Sequence, residues 1–266
     1  MPGSHVNSIK LSQIIRYPLK SCMGESLLQA EIGELGVAED RRLILSEPNG
    51  QFITARTEPK LLQLKVTPNP SGWLAEHPLL GSTQIRRDSS DAAEVGVWGR
   101  IIQAPRLLDA EPWFSQLLGR TVYLLWNSKA VDRADKQYPW GPIFSDGYPL
   151  LVCTTASLEA VNYASGSLFE MSRFRPNLVI ANDRPWAEDE WDRLQIGDVI
   201  LRRSKACERC VLTTRDPITG DKDPQQEPLR TLAKIHRGAD GEILFGQNFQ
   251  VERPGLIKLS DSVKTL

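Results

Sequence analysis

Closely spaced turn signals cut this chain into short β-rich pieces, and that punctuation limits its fold more than any other feature. Residues 9–15, 27–32, 42–46, 62–67, 83–87, 97–103 and 122–126 are rich in β-branched and apolar side chains over runs too short for core helices. Between them, Glu47-Pro48-Asn49-Gly50, Pro68-Asn69-Pro70-Ser71-Gly72 and Glu76-His77-Pro78 carry the residues that turns require. After residue 146 the pattern resumes at 175–181, 196–203, 211–214, 242–250 and 256–259. Helical periodicity is confined to three places. Residues 111–118 put Trp113, Phe114, Leu117 and Leu118 on one face, residues 155–164 follow a Thr154-x-x-Ser157 start, and residues 227–237 form a third segment. The expected fold is therefore mainly β with a few short helices (α+β), its strands closing or nearly closing into a barrel. Residues 127–146, polar and holding Tyr138-Pro139-Trp140-Gly141-Pro142, are expected to be a long loop or the boundary between two parts.

Composition removes several function classes. Thirty-two basic residues against 33 acidic ones give a net charge of −1, so there is no basic excess to hold a nucleic-acid polymer, and any anion site has to be local. No apolar run approaches the roughly 20 residues of a membrane helix. Four cysteines are too few and too scattered for a disulfide framework, and no leader pattern is present, which points to the cytoplasm.

Two of those cysteines form the densest chemical signal, Cys207-Glu208-Arg209-Cys210, followed by Val211-Leu212-Thr213-Thr214, which has the composition of a strand. Such thiols can hold a soft metal, attack an electrophile or pair with each other. Structural zinc needs two further ligands, and Cys22, Cys153, His5, His77 and His236 lie at no matching spacing. A thioredoxin-like pair opens a helix after a strand, whereas this one is expected to precede a strand. Two unreactive cysteines, one of them packed, remain an open alternative.

Other motifs surround this pair in a fixed order: Tyr17-Pro18-Leu19-Lys20-Ser21-Cys22, Asp40-Arg41-Arg42, Phe52-Ile53-Thr54-Ala55-Arg56, Val97-Trp98-Gly99, Phe144-Ser145-Asp146-Gly147-Tyr148-Pro149, Arg173-Phe174-Arg175-Pro176-Asn177, Ile196-Gly197-Asp198-Val199 and Phe245-Gly246-Gln247-Asn248. Through them the chain resembles the MOSC proteins that carry an N-terminal MOSC-type β-barrel segment. Within that group it is similar to the mitochondrial amidoxime reducing component and its bacterial counterparts, which reduce N-hydroxylated bases. The resemblance implies an N-terminal β segment over 8–126 and a MOSC domain over 127–266, the two sharing one packed unit.

It further implies a molybdenum cofactor, a pterin whose dithiolene holds the metal while Cys210 supplies a thiolate ligand and Cys207 is a structural neighbour. Lys20, Ser21, Arg41 and Arg175 fall at positions of cofactor contact, where ammonium, hydroxyl and guanidinium groups suit phosphate and polar ring edges. Asn177 matches a pterin contact that can both donate and accept. Asp146, Gly147 and Tyr148 match a turn that offers backbone amides, with Asp146 accepting from the pterin or relaying protons. Glu208 and Arg209 flank the ligand, and Glu208 stands where the family commonly has Ser. Arg56 is equally a second-sphere cation or an exposed strand end. The implied activity is reduction of amidoximes, hydroxylamines and N-hydroxylated nucleobases by oxygen-atom transfer. The alternative is a cofactor carrier or sulfur-handling module without turnover. With no four-cysteine cluster for an iron-sulfur centre, electrons are expected from a separate reductase, ferredoxin-like or cytochrome-type protein.

Overall fold

The computed structural model describes residues 9–127, 131–135, 138–141 and 144–266. Its largest sheet has eight strands in the order Glu25–Leu27, Lys10–Arg16, Leu178–Ala181, Leu150–Thr154, Leu244–Arg253, Val199–Glu208, Arg193–Ile196 and Val263–Thr265. The last of these returns to the strand Lys10–Arg16. Lys10 and Ser262 form an antiparallel bridge, the Leu11 N–H donates to Asp261 O at 3.0 Å, and the Val263 N–H donates to Ile9 O at 2.9 Å. Those bonds close the ring of strands and leave Glu25–Leu27 as a flap on Lys10–Arg16. Closure satisfies backbone groups that an open edge would expose.

Strand alternation then divides the side chains. Leu11, Ile14, Leu150, Val152, Leu178, Ile180, Leu194, Ile196, Val199, Leu201, Phe249 and Val263 bury together on one face. Ile15, Leu151, Cys153, Val179 and Phe245 turn the other way, into a second cluster shared with Leu43, Leu45, Trp73, Ala75, Phe114 and Leu124. This second cluster is the seam between the barrel and the smaller sheets of the N-terminal half. Those sheets pair Leu43–Ser46 with Tyr123–Trp126, Lys65–Asn69 with Gly72–His77 and Gly81–Arg86, and Ala92–Val97 with Arg100–Pro105.

The mainly β reading with three helices holds: Glu111–Leu118, Thr155–Ser165 and Leu229–Ile235 are the α-helices among the described residues. Thr154 caps the second, its side chain accepting from the Ser157 N–H, and Gly166 ends it in the left-handed conformation. The third starts later than expected, after Pro228.

Four local expectations are corrected. Residues 97–103 are two strands, because Trp98 and Gly99 adopt φ 50° and 80° and form a two-residue hairpin turn within an unbroken run of strand formers. Residues 196–203 are likewise interrupted at Gly197, φ 55°. Within 127–146, expected as a long loop or boundary, Val131–Asp135 pairs antiparallel with Tyr138–Gly141, and residues 128–130, 136–137 and 142–143 lie outside the described residues. Residues 211–214 are a 3-10 turn, not a strand. Here the Thr213 hydroxyl donates to Cys210 O (3.0 Å) and the Thr214 hydroxyl to Val211 O (2.8 Å), local bonds that win over a ladder.

Candidate functional site

At the seam lies a cavity of about 460 Å³. Every residue singled out from the sequence lines it: Lys20, Ser21, Arg41, Asp146, Gly147, Tyr148, Arg175, Asn177, Glu208, Arg209 and Cys210. So do Thr54, Arg56, Trp98, Arg173, Lys205 and Cys207. Seven cationic side chains (Lys20, Arg41, Arg56, Arg173, Arg175, Lys205, Arg209) thus face two carboxylates, Asp146 and Glu208, in a chain that is neutral within one charge. This wall is a local excess of positive charge that the overall charge does not reveal.

The backbone is bent to deliver these groups. Ser21, Arg41, Trp98 and Arg175 have φ of 73°, 46°, 50° and 54°, half of the non-glycine residues in that region among those described. Each such residue costs about 1–2 kcal/mol. The distortion is held by buried main-chain bonds: Lys20 N–H to Leu43 O (2.9 Å), Arg41 N–H to Tyr17 O (2.7 Å) and Arg175 N–H to Ser172 O (3.1 Å). A bulged pairing between Val199–Glu208 and Leu244–Arg253, with Gly246 at φ 77°, similarly shifts the end of the thiol-bearing strand.

Tyr17 organises two of the cations. Its ring lies 4.2 Å from the Arg41 guanidinium and 4.3 Å from that of Arg175, and its hydroxyl donates to Pro176 O at 3.1 Å. Burial pushes the phenol up to about 12 against the opposing pull of both arginines, so the ring is a neutral π surface between two charges. Arg41 also donates to Asp40 (2.6 Å) and Asn177 Oδ1 (3.1 Å), while Arg175 donates to Cys22 O (2.7 Å).

Asn177 is 2% exposed and its amide is committed to the protein. Oδ1 receives the Leu151 N–H at 3.2 Å as well as Arg41, and Nδ2 donates to Ile15 O at 3.2 Å. Its amide oxygen is thereby spent, and the residue positions Arg41 and two strands.

Lys20 is almost fully buried and its ammonium donates to Phe144 O at 2.8 Å and to the Asp146 carboxylate. Arg56 (3.5 Å) and the Trp98 indole N–H (3.2 Å) reach the same carboxylate. Crowding by neighbouring groups works to raise the Asp146 pKa although the carboxylate keeps contact with solvent, but Lys20, then Arg56 and Arg41, hold it well below the usual carboxylate range. At neutral pH it is an anion, suited to receiving N–H groups rather than giving up a proton. Gly147 has no steric need to be glycine, since a Cβ there would meet nothing within 4 Å. Tyr148 contributes its carbonyl, which accepts from the Ser145 hydroxyl at 3.0 Å.

The two thiols differ. Cys210 is exposed and Arg56 Nε points at its Sγ from 3.4 Å. Cys207 is half-buried and receives Arg209 Nη1 at 2.9 Å. Arg209 spends Nη2 on Phe174 O (2.8 Å), whereas its Nε is buried with no hydrogen-bond partner among the described residues. Glu208 pairs with Lys205 at 2.8 Å. No cluster of three or more His, Cys, Asp or Glu capable of holding a metal occurs among the described residues. The site is therefore a cationic cradle with one open thiol at its edge.

Residues 8–121 match the family of the MOSC N-terminal beta barrel domain, and residues 142–264 match that of the MOSC domain. Mitochondrial amidoxime-reducing component 1 of Mus musculus is 34% identical over 96% of this chain and 82% of its own length. The chain belongs to the MOSC-domain proteins that include the amidoxime-reducing components. Mitochondrial amidoxime reducing component 2 of Rattus norvegicus is 32% identical over 95% and 82% of the two chains. A molybdenum cofactor sulfurase of Oryza sativa subsp. japonica is 28% identical over 91% of this chain and 32% of its own. Both MOSC parts contribute to the cavity: Lys20, Arg41, Arg56 and Trp98 come from the first, Asp146, Arg175 and Cys210 from the second.

The sequence motifs do not place Trp98, Arg173 or Lys205 in the site and leave both roles of Arg56 open. The signal for Trp98 was present, since an X-Gly pair inside an alternating run marks a tight hairpin whose tip can reach across a cleft. Arg173 carried no such signal; it donates to Arg215 O at 2.8 Å and pairs with Asp216 at 3.2 Å, bracing the turn that follows the thiols.

Proposed function

We propose that this MOSC protein holds a molybdenum–pterin cofactor in the cavity and reduces N-hydroxylated small molecules, with electrons from a separate donor protein. The observation that carries this reading is the open Cys210 thiol at the rim of a cavity with five more cations than carboxylates. The donor set fits the group: Cys210 is a soft ligand for molybdenum, Lys20, Arg41 and Arg175 suit its phosphate, and the unpartnered Arg209 Nε awaits an acceptor. Ser21 and the backbone of residues 146–148 would offer hydrogen bonds to the pterin. When bound, the cofactor supplies the two-electron change and the oxygen transfer. The chain's own residues bind and orient: Arg56 sets a fixed positive charge beside the Cys210 sulfur, and Asp146 holds Arg56 and Lys20 in place.

The two halves, 8–126 and 127–266 in this reading, act as one unit through the shared core. The compartment in this reading is the cytoplasm, whereas the relatives it matches are named mitochondrial; no described helix is long and apolar enough to cross a membrane.

The decisive experiment purifies the protein from a cofactor-competent host, quantifies molybdenum and pterin, and assays benzamidoxime or hydroxylaminopurine reduction with reduced viologen. Stoichiometric cofactor and turnover support the reductase. Cofactor without turnover favours the second reading, a cofactor carrier or sulfur-handling module, and the Oryza relative is named a molybdenum cofactor sulfurase. No molybdenum overturns both. At matched metal content Cys210→Ala abolishes turnover, whereas Cys207→Ala has a milder effect; equal loss in both refutes the choice of Cys210.

A further inference from the structure

Trp98 is an anomaly for folding. It sits at the tip of a two-residue turn in the left-handed region, where a bulky aromatic is disfavoured, and half of it (51%) stays exposed on the cavity wall. A turn of this kind is normally filled by Asn, Asp or Gly. Yet the ring is not loose. The Arg56 guanidinium lies 5.1 Å from its centroid, Phe52 meets it edge-on at 5.5 Å and 64°, and its indole N–H donates to Asp146 at 3.2 Å. Arg56 in turn reaches the Cys210 sulfur at 3.4 Å. A half-exposed indole held by three partners therefore stands one side chain away from the exposed Cys210 thiol.

From this we infer that Trp98 is a specificity-determining residue: it stacks the flat ring of an aromatic or heteroaromatic N-hydroxylated substrate and so favours planar substrates over aliphatic ones bearing the same reacting group. The inference rests on the reductase reading above. Stacking suits this position because the indole is fixed by three partners before substrate arrives, which leaves little ordering cost, and because π faces attract any planar ring irrespective of its hydrogen-bonding edge. Arg56, 5.1 Å from the centroid of the same ring, helps to hold the indole at the cavity wall. The cavity thus offers a charged cradle for the cofactor and an aromatic shelf at its mouth.

The test compares benzamidoxime with acetamidoxime, which carries the same group without a ring, using molybdenum-loaded protein and reduced viologen. Trp98→Ala and Trp98→Leu should lower the ratio of the two kcat/KM values about 10- to 100-fold, the range typical of one lost stacking contact, mainly through KM for benzamidoxime. Trp98→Phe should retain most of the ratio, which separates stacking from bulk. An unchanged ratio in Trp98→Ala, or a Trp98→Leu protein that discriminates like wild type, overturns the inference. A second readout needs no turnover: benzamidine, which cannot be reduced at this group, should quench wild-type tryptophan fluorescence saturably, and the quench should vanish in Trp98→Phe. Absence of that quench in wild type also overturns it. Loaded wild-type protein that quenches with benzamidine but reduces neither amidoxime refutes the reductase reading while leaving the shelf in place.

Discussion

Replacing Asp146 by Asn tests the electrostatic design of the cavity directly. Its carboxylate receives Lys20, Arg56 and Trp98, and the asparagine would keep the shape while removing the charge. Breaking a fully buried ion pair from one side costs about 3–5 kcal/mol, because the surviving charge is stranded. Lys20 is 6% exposed and meets that condition, but Asp146 is 60% exposed and water screens it. Solvent therefore lowers the expected loss to about 1–2 kcal/mol, above an ordinary surface pair because two cations are affected at once. For a chain of this size that lowers Tm by about 2–6 °C at low salt.

The pH dependence of that difference is equally constrained. The Asp146 pKa is depressed in the folded protein, so its contribution is complete above the unfolded value of about 4 and is lost as pH falls through the lower folded one. Thermal melts of cofactor-free wild type and Asp146→Asn should differ by a constant amount between about pH 5 and 8 and converge in stronger acid. Added inorganic phosphate should narrow the gap at neutral pH by giving Lys20 and Arg56 another anion. Equal stability at pH 7, or a gap that persists undiminished into strong acid, refutes this account of the site.

Asn177→Ala removes a buried amide that serves the Leu151 N–H, the Ile15 carbonyl and Arg41, and should cost about 2–3 kcal/mol in urea titrations together with weaker cofactor retention. Gly246→Ala should cost about 2–4 kcal/mol by the same measurement, since φ is 77° and the new Cβ would lie 2.6 Å from Cys153 Sγ and 2.8 Å from Val152 O. His236 should make stability fall with rising pH. Burial opposes its charge, but Asp189 at 2.7 Å and the Leu244 carbonyl at 3.0 Å raise its pKa, so its contribution is complete below about pH 6.5 and is lost as pH climbs through the higher folded value. Melts of His236→Gln across pH 6 to 9 should show a flatter slope than wild type.

What the sequence made legible follows from where the motifs lie. Lys20, Arg41, Asp146, Arg175 and Cys210 each stand at a strand end or turn, and in a closed barrel such ends gather at one rim, so local motifs were enough to identify a shared site. Alternation served well where one face of a strand is buried and failed where both are. Leu150–Thr154 is buried throughout and carries no period, and Gly72–His77 was hidden by flanking turn residues even though Trp73 and Ala75 belong to the core. Val211–Thr214 has the composition of a strand, but its threonine hydroxyls satisfy the preceding carbonyls and tighten it into a turn. The distorted backbone at Ser21, Arg41 and Arg175 is invisible in the sequence because no glycine marks it, whereas Gly99 marks the turn at Trp98.

Those four residues also show why the cavity requires both halves of the chain. Bent segments of this kind persist only where their surroundings over-determine them. The Arg41 N–H bonds to Tyr17 O and the Lys20 N–H to Leu43 O, within the N-terminal half. The side chains that fix the same segment come from beyond it: Asn177 receives Arg41, Tyr17 donates to Pro176 O, and Lys20 reaches Phe144 O and Asp146. Arg56 and Trp98 likewise depend on Asp146 across the seam. If the C-terminal half were expressed alone, Cys210 would remain but would lose Lys20, Arg41 and Arg56, three of the seven cations, along with the aromatic shelf. On the proposed reading, a cofactor phosphate would then keep Arg175 but lose Lys20 and Arg41, so the C-terminal half alone should retain the cofactor more weakly than the whole chain.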